Sequence, residues 1–343
     1  MSLPTAPIAM VPTPAIGSAR GRSVGLLLAV ASALTFSSSG PFIKPLLEAG
    51  WSLSSVLTVR MGVAGVLLAP ALILAMKRQR RFIPRHARTI VLFGLTAVAG
   101  CQIFFFSAMQ RMPVAVALLI QYLAPVLLVL LAWARTRQAP SRSVALGSVV
   151  AIVGLVLVVD IAGAQFDLLG TVFALCAAAC VSVYFLIAER TGPDLPPLAL
   201  ASGGLLVGTA SISFLGVSGL IPYAAPAARV VIADIEIAAW LPLLWVAGIA
   251  TALAYALGMM AVPLIGSRLA AFVGLSEVLF ALGFAWLLLG ETPAPIQFFG
   301  GGLLLVGVIL VKMDQTPAPL SPAKRSPVPV ASVREPDSQS RIP

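Results

Sequence analysis

Charge is scarce in this sequence. Only 10% of its 343 residues are charged, against 59% apolar, and the acidic side is especially thin, with 12 Asp and Glu against 22 Lys and Arg. Soluble domains carry about a quarter of their residues as charges, so there is too little polar material here to coat a globule of this size. A soluble cytosolic enzyme is excluded. Histidine occurs once, as His86, in what reads as a basic cytoplasmic loop, and no Gly-x4-Gly-Lys-Ser/Thr run exists to cradle nucleotide phosphates. ATP hydrolysis by this chain is excluded with it. The three cysteines, Cys101, Cys176 and Cys180, all fall in apolar runs without a histidine or acid beside them, so no metal site and no cofactor are called for. A net charge of +10 suggests nucleic acid only where basic residues cluster on a folded face. Here they sit in short loops between apolar runs, and no nucleic-acid partner is expected.

Long apolar runs are what the sequence has in quantity. About 20 apolar residues cross a bilayer as a helix, because every backbone polar group must then be satisfied within the segment. Charge-free intervals mark ten such spans: 23–43, 53–76, 89–110, 113–134, 143–161, 168–188, 196–221, 239–262, 267–289 and 293–311. The expected fold is all-α integral membrane. Ala29 to Ala33 resembles a signal-peptidase site, but the apolar stretch runs on to Ile43 and is long enough to span. With the N-terminus inside, 18 of the 22 Lys and Arg fall on the cytoplasmic side, three outside and one within a span. That asymmetry predicts a multi-pass protein of the cytoplasmic membrane with both termini cytoplasmic. The tails, residues 1–22 and 313–343, are rich in Pro, Ser and Ala and read as disordered.

The chain also repeats itself. A shift of 153 residues lays Trp133, Pro140, Gly147, Val153 and Gly154 on Trp286, Pro293, Gly300, Val306 and Gly307, and a shift of 145 lays Gly25, Ala29, Ala33 and Ser37 on Gly170, Ala174, Ala178 and Ser182. Two copies follow, residues 23–162 with helices 1–5 and residues 163–312 with helices 6–10. Because five is odd, the second copy must enter the membrane from the opposite side, the inverted repeat characteristic of secondary transporters.

Some residues inside the spans carry chemistry. Glu277 is the only acid well inside one, and Arg60 the only base. A charge at that depth costs roughly 2.5–3.5 kcal/mol on insertion scales, so something must offset it. Glu277 reads as a proton or substrate-ammonium site, or as a packing charge held by an Arg; Arg60 reads as its partner, or as a side chain snorkelling to the headgroups. Pro125 frees the carbonyl of Gln121, which makes Gln121, Tyr122 and Pro125 candidates for substrate contact at a broken helix, or members of a simple packing kink. Tyr184 and Tyr255 offer hydroxyls and cation-facing rings. Lys44 and Glu189 occupy matching repeat positions at helix ends and are gate candidates. Gly62, Gly65, Gly147, Gly154, Gly300 to Gly302 and Gly307 read as close helix packing.

The stretch from Leu123-Ala-Pro-Val to Trp133, and Ser276-Glu-Val-Leu-Phe-Ala through Trp-Leu-Leu-Leu-Gly-Glu291 with Gln297 and Gly300, resemble the EamA branch of the drug/metabolite transporter superfamily over about residues 23–312. The resemblance implies ten helices in two inverted five-helix repeats around a central cavity. It also implies export of amino acids or other small metabolites, as by exporters of the threonine/homoserine type. One departure is that Glu277 is followed by Val278, where many members have Glu-Pro; Pro125 keeps the proline in the first half alone. The expectation is alternating-access export of a small-molecule substrate by a monomer or homodimer in contact with membrane lipid, with a proton gradient as the candidate energy source. A multidrug exporter is the alternative within the class. A non-transporting membrane scaffold or an intramembrane enzyme is the alternative outside it.

Overall fold

The computed structural model describes residues 19–112, 114–159, 167–226, 229–232, 235–289 and 294–313. Residues 1–18 and 314–343 of the two tails, and Glu291 and Pro293 among the residues used above, lie outside the described residues, whereas residues 19–22 and Met313, read above as tail, are helical. The rest forms ten helical units. These are α1 (Ala19–Ser37 running into Ser39–Glu48), α2 (Leu53–Leu67 and Ala69–Arg78), α3 (Phe82–Phe93, a π turn Gly94–Gly100, then Cys101–Met109) and α4 (Val114–Gln121 and Ala124–Thr136). Then come α5 (Arg142–Val159), α6 (Leu168–Glu189) and α7 (Pro197–Val217). The last are α8 (Trp240–Ala247, a π turn Gly248–Leu253, then Ala254–Ile265), α9 (Ser267–Gly274 and Ser276–Leu289) and α10 (Pro295–Met313).

Among the described residues seven of these are long and apolar enough to cross a membrane, namely α1, α3, α4, α6, α7, α8 and α9. The two pieces of α2 pass together with a 44° bend, and α5 and α10 are shorter apolar helices.

Local chemistry sets several of the boundaries. Ser52 caps α2 by accepting the N–H of Ser55, and Asp167 caps α6 by accepting that of Gly170 at 2.6 Å. Gly266, at φ +82°, takes the left-handed turn that separates α8 from α9. Two expectations are corrected here. The helix of the third unit begins at Phe82, so His86 sits within it against the ring of Phe82 at 5.0 Å, and not in a loop. The molecule is also not wholly α: an antiparallel hairpin, β1 (Arg229–Ile232) with β2 (Ile235–Ala238), joins α7 to α8. Its alternation is too short for a hydropathy count to register.

The helices pack in pairs that mix the two halves. α5 lies along α10, α2 along α7, α1 along the second part of α8, and α6 along the second part of α3. Small residues permit the closest of these approaches. A Cβ on Gly154 would stand 2.4 Å from the nitrogen of Leu304, and one on Gly307 2.5 Å from the nitrogen of Ala151. In lipid, where apolar side chains gain little by leaving hydrocarbon, such backbone contact is a main source of association. Ser202 Oγ adds a bond across α7 and α2 by donating to the carbonyl of Gly65 at 2.8 Å.

Breaks recur at matching places in the two halves. The π turns occupy α3 and α8, and the helix interruptions fall at Tyr122–Leu123 in α4 and at Leu275 in α9, 153 residues apart. The second break forms without a proline. Leu275 N–H bonds to the carbonyl of Phe272, three residues back, and Val278 N–H likewise to Leu275. The tightened turn does what Pro125 does in the first half.

Candidate functional site

The breaks and π turns converge on one cavity of about 340 Å³. That volume lies at the lower end of small-molecule sites, which run from about 300 to 1,000 Å³. Each irregularity contributes wall residues just past itself. Cys101 and Gln102 follow the π turn of α3, Tyr255 that of α8, Ala124 and Pro125 the break in α4, and Glu277 the break in α9. A helix interruption re-aims the following side chains and exposes backbone that a straight helix would hide, which is tolerated in a membrane only around a cavity.

All seven residues singled out as substrate or proton contacts meet on this wall: Glu277, Arg60, Gln121, Tyr122, Pro125, Tyr184 and Tyr255. Their polar atoms are largely unengaged. Arg60 Nε and Gln121 Oε1 are buried without a hydrogen-bond partner. No ion pair joins Arg60 to Glu277 among the described residues, so the two opposite charges face the same space without neutralising each other directly.

One wall is aromatic. Tyr184 meets Tyr255 edge to face at 6.0 Å and Phe185 at 5.0 Å, while Phe36 packs on Tyr255 at 5.3 Å. Rigid rings in mutual contact hold each other's rotamers and present faces and hydroxyls in fixed places.

Sequence reasoning missed part of the lining. Ser32 and Ser39 on α1, Gln102 on α3, and Phe36, Phe105 and Phe185 also face the cavity. Gln102 was within reach, as an amide inside an apolar run. The aromatics were not, because phenylalanine in a span is equally at home against lipid. The gate candidates are not brought together. Lys44 is exposed on the second piece of α1, away from the cavity. Glu189 lines a different cavity of about 360 Å³ with Arg135 and Arg268.

A transporter is the kind of molecule that encloses a partly charged cavity in an apolar helical shell. The sequence model of the EamA-like transporter family matches residues 23–160 and again residues 168–313. The chain belongs to the EamA-like transporter family. Both halves are therefore recognisable as the same EamA unit, and together they take up most of the sequence. Among curated relatives, the threonine/homoserine exporter RhtA of Salmonella typhimurium strain LT2 is 27% identical over 284 residues, 79% of this chain and 87% of that protein. The protein of the same name in Escherichia coli K12 is 27% identical over 272 residues, covering 76% and 85%. A probable terminal-alkyne amino-acid exporter of Streptantibioticus cattleyicolor is 28% identical over 293 residues, covering 82% and 91%. A solved crystal structure shares the fold of this EamA chain with a TM-score of 0.69 at 18% identity, over 85% of this chain and 97% of that one.

Proposed function

We propose that this protein is a secondary transporter of the cytoplasmic membrane that exports amino acids or similar small zwitterionic metabolites by alternating access. The observation that carries the reading is a base and an acid, Arg60 and Glu277, on the wall of one cavity with no ion pair joining them among the described residues. Each costs free energy to bury alone. A ligand bearing both a carboxylate and an ammonium offsets the two costs together, and a purely cationic drug would leave Arg60 opposed. The curated relatives named as threonine/homoserine and amino-acid exporters support the same substrate class.

Ten crossings in two inverted halves of five complete the proposal, with both termini cytoplasmic. The pairing of helices supports it. Exchanging the halves turns α2 with α7 and α5 with α10 into themselves, and turns α1 with α8 into α6 with α3. Loop contacts respect the assigned sides as well. Arg85 meets Asp194 at 3.3 Å, both in segments assigned to the cytoplasm. Ser54 and Ser55, at the outer end of the second span, donate to the carbonyls of Pro222 and Ala224 in the segment assigned outside.

A proton crossing 100 mV releases about 2.3 kcal/mol, enough for roughly fifty-fold accumulation. Glu277 is the group through which such coupling would act.

The test is efflux from cells preloaded with labelled amino acids, comparing the wild type with Glu277→Gln, each with and without a protonophore. Faster efflux of one amino acid in wild-type cells, lost in the variant and on collapse of the gradient, is the expected result. Equal efflux across the panel in wild-type and control cells would sink the amino-acid reading in favour of a drug substrate.

A further inference from the structure

The second cavity neighbours the first along two helices. On α4 the central cavity ends at Pro125 and the second begins at Leu128; on α9 the second holds Ser267 and the first starts at Ala270. On both helices the step is one turn, towards the ends where Arg135 and Arg268 lie, which is the face assigned to the cytoplasm.

Arg135, in the last turn of α4, suits the dipole of its helix, but the other two charges are not explained by helix stability. Glu189 is the last residue of α6, where the helix dipole is negative, and Arg268 is the second residue of the helix Ser267–Gly274, where it is positive. Both signs are opposed to the dipole beside them. Nor do they offset one another, since no ion pair joins Glu189 to Arg135 or Arg268 among the described residues. Ser267 is only 8% exposed and lines the same cavity. A Cβ on Gly266 would come within 3.4 Å of Glu189 Oε1, so the carboxylate stands over the turn that starts α9.

We propose that this cavity is a second zwitterion subsite, a vestibule that receives the substrate at the cytoplasmic face before it passes to the central cavity. The carboxylate is taken by Arg268 and Arg135, with the Ser267 hydroxyl and the first N–H groups of α9 behind them. The ammonium is taken by Glu189. A polyanion would be repelled by Glu189 and a simple cation by the two arginines, which leaves a ligand carrying both signs. A phosphatidylethanolamine headgroup has that chemistry too. The adjacency to the central cavity favours the transported molecule. The inference rests on the amino-acid reading of the central site.

The experiment uses the full chain in proteoliposomes, with labelled L-threonine offered separately to each face. In Arg268→Gln and Glu189→Gln the half-saturating concentration at the cytoplasmic face should rise about five- to tenfold, as for loss of one partly solvated charge contact. The saturated rate from the cytoplasmic face should stay as in the wild type while the saturated rate from the opposite face falls in the same proportion, as detailed balance requires, and Arg268→Lys should recover most of the loss. N-acetylthreonine, which lacks the ammonium, should be insensitive to Glu189→Gln. Unchanged half-saturation in the variants, or an equal change at both faces, overturns the vestibule while leaving the central site standing. A difference that appears only in vesicles containing phosphatidylethanolamine also overturns it, in favour of a lipid site. If the wild type moves no threonine, homoserine or other amino acid, the central reading fails first and takes the vestibule with it.

Discussion

At the residue scale the argument turns on two side chains that a bilayer disfavours. Arg60 and Glu277 are 217 positions apart in the chain, and the fold brings them to one cavity without joining them. Groups that share a bound ligand are coupled through it even when they do not touch. Arg60→Ala and Glu277→Ala should therefore each lower threonine efflux by about tenfold or more, and the double variant should be little worse than either single one. Losses that simply multiply in initial-rate measurements would show the two acting independently. The rings of Tyr184, Tyr255, Phe36 and Phe185 line the same space and pack on one another. Glu277 and Arg60 were visible in the sequence because each is a lone charge in an apolar run. Phe36 and Phe185 carried no such mark, since apolarity alone does not say whether a ring faces lipid, protein or a cavity.

At the element scale the helices are packed by their small residues and opened by their breaks. α5 and α10 meet backbone to backbone at Gly154 and Gly307, where added atoms have nowhere to go. Gly154→Leu should separate the pair and destabilise the protein by about 3 kcal/mol or more, given that ordinary overpacking costs 1–3 kcal/mol. Thermal unfolding in detergent, followed by tryptophan fluorescence, checks this, and an unchanged midpoint would remove the pair from the account of stability. The packing role of Gly147, Gly154 and Gly307 was legible from spacing alone. The break at Leu275 was not. Without a proline at residue 278 the sequence offers no donor deletion to predict it, and the turn tightens because the packed surroundings hold it so. The π turns were equally hidden, since an extra residue in a helical turn leaves no compositional trace.

At the scale of the whole molecule, the orientation proposed above rests on the distribution of Lys and Arg. Cysteines introduced at Ser2 and Ser338 in a variant lacking Cys101, Cys176 and Cys180 should resist a membrane-impermeant maleimide in intact cells and react once the membrane is opened. A cysteine at Ala225, in the segment assigned outside, should react at once. The reverse pattern would invert the protein, and with it the direction assigned to both cavities.

Much of this protein was decided by composition and spacing. The scarcity of charge dictates a membrane environment, the charge-free intervals locate most helical ends to within a few residues though α3 begins seven residues before the expected 89, and the shift of 153 exposes the duplication. All of these are properties of runs, and runs are what hydropathy reads. The hairpin between α7 and α8, the meeting of seven scattered side chains on one wall and the adjacency of two cavities along α4 and α9 were decided only by the tertiary structure. They depend on which faces of different helices turn towards each other. In an apolar bundle that choice is made by backbone contacts at small residues and by breaks in the helices, and neither is encoded in a periodic pattern.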